Sequence, residues 1–189
     1  MGTDLGPCVV LITGVMAAGK STVAQLLAEH LPRAVHVRGD VFRRMIVSGR
    51  AEMTPDEAEE ARSQLDLRQR ISARVADTYA DDGWTAVVQD IVLGEDLPRY
   101  VDRVRTRPLH VVVLAPSPAT VREREEARAK TGYGEWTVEA FDAFLRSGTP
   151  RIGLWLDTSG QTPEETVSAI LDGLRGAGGS GGAASQAAS

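Results

Sequence analysis

Eight consecutive residues read GVMAAGKS, from Gly14 to Ser21, and match the pattern G-x-x-x-x-G-K-[ST] at every fixed position. An apolar run from Val9 to Ile12 precedes them, and residues 21–30 follow with the apolar spacing of a helix. A strand, a glycine-containing loop and a helix, in this order, are the context that the pattern requires. The stretch therefore predicts a phosphate-binding loop (P-loop) rather than a glycine turn that matches by chance.

The residue types in this loop suit the phosphates of a nucleotide. Gly14 and Gly19 permit a backbone geometry in which several N–H groups point at phosphate oxygens, and the helix that begins near Gly19 directs its positive end at the same anion. Lys20 supplies a mobile positive charge for the terminal phosphates, and the Ser21 hydroxyl is placed to ligate their magnesium ion. The predicted nucleotide-binding residues are Gly14, Val15, Met16, Ala17, Ala18, Gly19, Lys20, Ser21 and Thr22.

Length and composition predict one ordinary globular domain. The chain has 189 residues, of which 25% are charged and 42% hydrophobic, and its formal net charge of −5 argues against a dedicated nucleic-acid binder. A single cysteine, Cys8, leaves no intramolecular disulfide and no thiol metal cluster. No apolar run approaches the ~18 residues of a membrane span, and the N-terminus lacks a signal-peptide pattern. We therefore expect a cytoplasmic protein without membrane contact, and the sequence leaves its oligomeric state open.

Strand and helix patterns alternate along the chain. Apolar segments at 9–12, 34–37, 84–90, 109–114 and 152–156 predict five strands, and the connections are long enough for right-handed crossovers. This order predicts an α/β fold, a three-layer α/β/α sandwich around a five-stranded parallel sheet. Residues 1–7 are expected to be a flexible N-terminus, residues 8–175 the domain, and the Gly/Ala/Ser-rich residues 176–189 a disordered tail.

Two helices carry expectations about buried side chains. Residues 41–48 predict a short helix with Phe42, Met45 and Ile46 inward and with Arg43 and Arg44 near the predicted site. Capping residues and apolar spacing predict a long helix that ends near Asp81 and a final helix that begins with a capping box at Thr162 and ends near Leu174. Two further helices are predicted to start at Ser117 and at about Thr137. On the long helix, most of the arginines are assigned to a solvated face. The predicted apolar face contains Ala58, Ala61, Leu65, Ile71, Val75 and Tyr79.

Two aspartates follow predicted strands at their carboxyl ends, where ligands of open α/β sheets bind. Asp40 comes after Arg38 and Gly39 and is a candidate catalytic base, magnesium partner or substrate-binding residue, with a turn or helix-capping role as the alternative. Asp90 ends the third strand and is a candidate partner of magnesium or substrate, with a polar strand end as the alternative. Arg43, three residues after Asp40, is a further candidate for substrate binding.

A segment from about residue 122 to 138 has the features of a small helical lid. Arg124 and Arg128 are four residues apart and share a helix face, and two glycines follow them. Arginine forks match phosphate oxygens, so this segment suits closure over a triphosphate. Surface ion pairing with the neighbouring glutamates is the alternative.

Several of these segments together resemble chloramphenicol 3-O-phosphotransferase and its relatives. The likeness covers about residues 8 to 173 and is carried by GVMAAGKS, Gly39-Asp40, VQDIVLG at 88–94, REEAR at 124–128 and LDTS at 156–159. A looser similarity extends to tunicamycin-resistance-type ATP-binding proteins and to gluconate and shikimate kinases. The resemblance implies a P-loop kinase fold of the nucleoside and shikimate kinase type.

The resemblance also implies an activity, which is transfer of the γ-phosphoryl group of ATP, with Mg²⁺, to a hydroxyl of a small molecule. Asp40 falls at the position of the family's base, Lys20 and Ser21 at the phosphate and magnesium positions, and Arg124 and Arg128 at the lid. The chain departs from the family pattern at 41–44 and 136–140, where an acceptor would be held. These departures indicate an acceptor other than chloramphenicol, such as another antibiotic or natural product in a self-resistance role.

Two rival functions stay open on the sequence. The segment Arg38 to Arg43 also resembles the acceptor segment of polynucleotide 5′-hydroxyl kinases, although the chain lacks a basic aromatic track for single strands. A non-enzymatic ATP-binding regulator would need the P-loop but no acceptor.

Overall fold

The structure, a computed structural model, describes residues 4–52, 59–127 and 137–179. Its centre is one sheet of five parallel strands in the order β2-β3-β1-β4-β5. The strands are β1 (Cys8–Gly14), β2 (Ala34–Arg38), β3 (Thr85–Gln89), β4 (Leu109–Leu114) and β5 (Leu154–Leu156). The predicted five-stranded parallel sheet is confirmed.

The three central strands are apolar because both faces of the sheet are covered. Every residue of β1 and of β3 is buried, and so are the last four residues of β4. A near-continuous apolar run is what a parallel strand between two helix layers requires. Cys8, at the start of β1, lies in this core as a free thiol.

Seven helices are seen in the described ranges, and they cover the sheet. Helices α1 and α7 pack against each other, as do α3 and α4, and both α1 and α3 contact β1, β2 and β3. The helices are α1 (Lys20–His30), α2 (Gly39–Arg44), α3 (Glu59–Asp81), α4 (Asp96–Arg103), α5 (Pro118–Glu126), α6 (Val138–Gly148) and α7 (Pro163–Gly179). Within the described ranges, no helix is both long and apolar enough to cross a membrane.

Side-chain caps start three of these helices where the sequence predicts a start. Thr162 Oγ1 accepts a hydrogen bond from the Glu165 N–H at 3.2 Å, and Glu165 Oε2 accepts one from the Thr162 N–H at 2.8 Å. This reciprocal pair is a capping box, which satisfies two donors that the first turn of α7 would otherwise leave unpaired. Ser117 and Thr137 cap α5 and α6 in the same manner with one bond each.

Several predicted boundaries and faces are wrong. Helix α2 begins at Gly39 rather than Val41, and α7 continues to Gly179 rather than ending near Leu174. Met45 follows α2 and is 66% exposed, because α2 ends before the turn that would have directed Met45 inward.

The buried face of α3 consists mainly of small residues, and Tyr79 lies outside it, because α3 lies close against the sheet. The buried residues of α3 are Ala61, Gln69, Ser72, Ala73, Ala76, Asp77 and Ala80.

The N-terminal residues that the structure describes contact the domain. Leu5 packs against the core, and the Thr85 hydroxyl donates a hydrogen bond to the Gly6 carbonyl at 2.6 Å. Residues 176–179 of the predicted disordered tail lie in α7. Residues 1–3 and 180–189 lie outside the described residues, so their flexibility stays a prediction.

His36 is a half-buried histidine on the edge strand β2. Its Nδ1 lies 2.9 Å from Gln25 Oε1 on α1, and its Nε2 is buried without a hydrogen-bond partner in the described ranges. Burial, with a smaller contribution from the charge of Arg38, lowers the pKa of His36 from 6.5 to about 4, although Asp40 acts in the opposite direction. The folded protein therefore favours neutral His36.

This depressed pKa predicts an acid-sensitive contribution to stability. Between pH 6.5 and about 4, the unfolded chain binds a proton at His36 that the folded chain does not, so the free energy of unfolding should fall as the pH falls through this window. Urea denaturation of His36→Gln should show a shallower pH dependence than the parent, with a remaining slope from His110, whose pKa burial also lowers. Identical slopes in parent and variant would contradict the assignment.

Candidate functional site

The backbone of the P-loop turns sharply after β1. Gly14 has φ +145°, and a Cβ on it would lie 2.4 Å from the carbonyl oxygen of Leu114, so the loop leaves β1 in direct contact with β4. Ala17 and Gly19 follow with φ +58° and +95°. An alanine in the left-handed region is strained by about 1–3 kcal/mol, and such strain gathers at ligand-binding loops. Left-handed backbone positions of this kind are typical of the backbone turns that bind anions.

Lys20 and Ser21 begin α1 directly behind this surface. Lys20 is only 6% exposed, and its Nζ donates a hydrogen bond to the carbonyl of Val15 at 2.6 Å, so its charge is held within the loop. The Ser21 hydroxyl donates to Gln89 Oε1, on the last residue of β3, at 3.3 Å. The structure therefore adds Gln89 to this group, a residue that the sequence analysis did not single out.

Asp90 follows β3 and is buried at the same edge of the sheet. Its Oδ1 accepts hydrogen bonds from Arg68 Nη2 at 2.6 Å and from the Ile91 N–H at 2.7 Å. Burial raises the pKa of Asp90, while the charge of Arg68, the Ile91 N–H and the charge of Lys20 oppose that shift. The predicted magnesium role of Asp90 stays a prediction, since its carboxylate is engaged by Arg68 whereas the Ser21 hydroxyl contacts Gln89.

The loop after Asp90 is anchored to β1. The Thr13 hydroxyl donates to the Val92 carbonyl at 3.0 Å and accepts from the Val92 N–H at 2.9 Å, and both bonds are buried. The Asp90 N–H also donates to the Ile12 carbonyl at 3.4 Å. These bonds fix the Asp90 backbone between the P-loop strand and β2, since β3 lies between β1 and β2 in the sheet.

Asp40 lies in the first turn of α2, immediately beyond β2. The N-cap of α2 is Arg38, and the Asp40 carboxylate does not cap the helix but pairs with Arg44 at 2.7 Å. The Asp40 side chain is 54% exposed. Arg43, the other predicted substrate-binding residue here, pairs with Glu52. The Asp40 carboxylate thus faces solvent beyond the strand next to β3, with its base role still a prediction.

Arg124 connects α5 with the P-loop. Its Nη1 donates to the Ala18 carbonyl at 3.3 Å and its Nη2 to the Thr158 carbonyl, in the loop after β5, at 3.0 Å. Arg124 contacts the P-loop backbone in this structure, so no closure is needed to bring it there. Arg128 and the rest of the predicted lid to residue 136 lie outside the described residues.

Two further residues at this edge of the sheet, Arg68 and Thr158, were misassigned or not singled out from the sequence. The sequence places the arginines of α3 mostly on a solvated face, yet the Arg68 side chain is 15% exposed and paired with Asp90. Thr158, in the loop after β5, carries a buried hydroxyl without a partner in the described ranges. Only the placement of α3 against the sheet reveals Arg68, because its sequence context is that of a charged helix stripe.

The oxygen donors at this edge are compatible with a magnesium ion held mainly by a nucleotide. No group of three or more His, Cys, Asp and Glu side chains in the described ranges could hold a metal ion. Mg²⁺ with nucleotides usually takes one or two protein oxygens and completes its shell with phosphate oxygens and water. The Ser21 hydroxyl beside the Gln89 amide oxygen suits that arrangement.

Comparison with known proteins identifies the family and the fold. The model of a family described as AAA domain matches residues 9–150. A UPF0200 protein of Aeropyrum pernix is 30% identical over 132 residues, which are 69% of this chain and 70% of that protein. Two solved structures are similar in fold. A sugar kinase from Janibacter sp. HTCC2649 has a TM-score of 0.65, 21% identity, and coverage of 88% of this chain and 94% of its own. Shikimate kinase from Aquifex aeolicus has a TM-score of 0.63, 19% identity, and coverage of 92% and 99%.

These similarities confirm the predicted three-layer P-loop kinase fold. They do not specifically show the predicted likeness to chloramphenicol phosphotransferases. They show a P-loop kinase fold that has small-molecule kinases among its structural neighbours.

The packing of Asp90 against α2 predicts that residue 39 must be glycine. A Cβ on Gly39 would lie 2.0 Å from Asp90 Oδ2, so Gly39→Ala should lower the free energy of unfolding by about 1–3 kcal/mol. Gly160→Ala is the matched control, since no atom lies within 4 Å of its added Cβ. Urea denaturation that shows equal stability for both variants would contradict the close approach of Asp90 and Gly39.

The contacts of Arg124 predict a role that its neighbour Arg122 does not share. Arg124→Ala removes two bonds that join the P-loop to the loop after β5, and we expect ATP to bind about 10- to 100-fold more weakly, as for a lost charge-assisted hydrogen bond. Arg122→Ala, on the same helix, removes only a surface pair with Glu139 and should change the affinity little. Calorimetric titration with ATP measures both, and equal affinities would refute the assignment.

Proposed function

This chain belongs to the AAA domain family, and we propose that it is an ATP-dependent phosphotransferase acting on a hydroxyl of a small molecule. One observation carries the proposal. The phosphate-binding loop, with its buried lysine, follows β1, and the solvent-facing carboxylate of Asp40 lies beyond β2 of the same parallel sheet. Only β3 lies between these two strands. A kinase needs a phosphate-binding site next to a base for the acceptor hydroxyl, whereas a nucleotide-binding regulator needs only the phosphate-binding site.

The nucleotide would bind through groups that the structure already gathers. The P-loop amides and the start of α1 suit the phosphates, and Lys20 places a charge among them. Arg124 lies against Gly19, 3.7 Å from the position of a Cβ there, and would add positive charge on the side of the loop toward β5. When bound, Mg²⁺ would neutralise charge on the phosphate oxygens, with Ser21 as the protein ligand that fits best.

The proposed reaction moves one phosphoryl group and one proton. The acceptor oxygen forms a bond to the γ-phosphorus, the bond from that phosphorus to the bridging oxygen of ADP breaks, and the hydroxyl proton passes to the Asp40 carboxylate. Lys20 and Arg124 would stabilise the charge that develops on the transferring group. Such reactions are catalysed mainly by alignment and by electrostatic stabilisation, which fixed side chains supply.

The ion pair between Asp40 and Arg44 does not prevent a base role. Both side chains are more than half exposed, at 54% and 62%, and exposed pairs contribute about 0–1 kcal/mol. An acceptor hydroxyl can therefore displace Arg44 from Asp40 at little cost. A deeply buried pair would not be available in this manner.

A small acceptor agrees better with the chain than a nucleic acid. The net charge is −5, and the two arginines that follow Asp40 are each paired with a carboxylate. Neither feature favours a polyanionic strand. The resemblance to chloramphenicol phosphotransferases supports including antibiotics and other natural products among the acceptors, and it carries the finer proposal of a self-resistance role.

The test is transfer of label from [γ-³²P]ATP to a panel of hydroxylated metabolites, antibiotics and a 5′-hydroxyl oligonucleotide, with the parent and Asp40→Asn. Asn keeps the size of Asp40 but cannot accept the proton, so transfer should slow by about 10²–10⁴-fold while ATP affinity and melting temperature stay unchanged. Asp82→Asn, at another exposed and arginine-paired aspartate, is the control. Near-normal transfer by Asp40→Asn would refute the base assignment, and label on the oligonucleotide alone would favour the polynucleotide kinase alternative.

A further inference from the structure

The pair between Arg68 and Asp90 is buried but joined by only one contact. The side chains are 15% and 5% exposed, and Arg68 Nη2 donates to Asp90 Oδ1 at 2.6 Å. Arginine and carboxylate often form two parallel hydrogen bonds, which satisfy more of their atoms. Here the second interaction of Oδ1 is with the Ile91 N–H.

One donor and one acceptor of this pair are left over. Arg68 Nε and Asp90 Oδ2 are both buried, and neither has a hydrogen-bond partner in the described part of the chain. A buried polar atom without a partner is costly, and each instance in a folded protein calls for an explanation. Because one atom donates and the other accepts, a single group that completed both would accept from Arg68 Nε and donate to Asp90 Oδ2.

A neutral hydroxyl has both capacities, whereas a carboxylate only accepts. A carboxylate brought to Arg68 Nε would also meet the negative charge of Asp90. Arg68 cannot turn away from Asp90 to receive it, because an unpaired buried charge would remain, and breaking buried pairs is strongly unfavourable. The pair therefore suits a hydroxyl and rejects an anion.

The position of the pair links it to the proposed acceptor base. Asp90 Oδ2 faces Gly39, the residue before Asp40, closely enough that a Cβ on Gly39 would lie 2.0 Å from it. Gly39, at the start of the six-residue helix α2, covers Oδ2, so binding at this atom requires that α2 shift away from Asp90. A molecule with one hydroxyl at Asp40 would then extend a second hydroxyl toward Asp90.

We propose that Arg68 and Asp90 form a binding subsite for a second hydroxyl of the acceptor, which is an uncharged, polyhydroxylated compound. The inference rests on the proposed function for the location of the acceptor and adds its chemical class. Acceptors that carry a carboxylate in place of this hydroxyl are disfavoured.

The experiment uses matched pairs of probes that differ in one group. Sugar alcohols and the corresponding sugar acids, such as D-glucitol and D-gluconate, exchange a hydroxymethyl group for a carboxylate, and glycosides and glycosiduronates do the same on a ring. Binding to the full chain is measured by calorimetry with Mg²⁺ and a non-hydrolysable ATP analogue, and transfer of label from [γ-³²P]ATP is measured separately. The uncharged member of at least one pair should bind about 10- to 100-fold more tightly than its acid.

Variants then separate a binding role from a structural one. Asp90→Asn removes the negative charge that Arg68 neutralises and should shift the preference toward the acid by at least tenfold. Arg68→Lys keeps a positive charge but removes Nε, so it should weaken binding of the uncharged member of each pair while the fold is retained. This variant tests the subsite if Asp90→Asn does not fold. Asp66→Asn is the matched control, because Asp66 pairs with Arg103 and Arg70 away from this subsite.

Each outcome decides the matter. Acids that bind as tightly as their uncharged partners, or no binding by any member of the panel, overturn the subsite. Equal losses for both members of a pair in Asp90→Asn and Arg68→Lys overturn it as well, since the ion pair would then be structural only. Uncharged probes that bind without receiving label support the subsite and contradict the proposed phosphotransferase. If the acids receive label most rapidly, the result supports the proposed phosphotransferase and contradicts the subsite.

Discussion

The contact between Gly14 and the carbonyl of Leu114 is the constraint on which the site depends. No side chain fits between them, since a Cβ on Gly14 would lie 2.4 Å from that oxygen, so β1 and β4 stay together as far as the first residue of the P-loop. The loop then turns through left-handed backbone at Ala17 and Gly19 and delivers Lys20 to the start of α1. A fixed strand end behind the loop makes its amide groups a preformed phosphate site, which lowers the ordering cost of binding.

Charge at the carboxyl edge of the sheet is arranged by depth. Asp90 and Arg68 are buried and neutralise one another, while Asp40 and Arg44 form their pair in contact with solvent. The buried pair is fixed by geometry, because separating it would leave a charge without solvent. The exposed pair exchanges partners at little cost. This difference supports the two roles that we propose, Asp40 as the group that accepts a proton and Asp90 as a group that recognises the acceptor.

The sequence predicts the parts of this architecture that depend on local pattern. Strand order in the chain, the P-loop, the cap of α5 at Ser117 and the capping box at Thr162 follow from residue types and short spacings, and the structure confirms them. The buried face of α3 and the pairing of Arg68 could not be predicted, because they depend on how closely α3 approaches the sheet. Small residues on α3 permit that approach and leave its larger apolar side chains at the margin. The role of each site residue is likewise not fixed by pattern, since Asp40 and Asp90 both follow a strand at its carboxyl end yet differ in burial.

The central claim is that the γ-phosphoryl group leaves ATP for an organic hydroxyl. Phosphorus NMR of the parent protein with Mg²⁺, ATP and uncharged polyhydroxylated acceptors follows that group directly. We predict that the γ-phosphate signal decays while ADP and a new phosphomonoester signal grow in equal amounts. Growth of inorganic phosphate alone, or an unchanged ATP spectrum with every acceptor, would contradict the account.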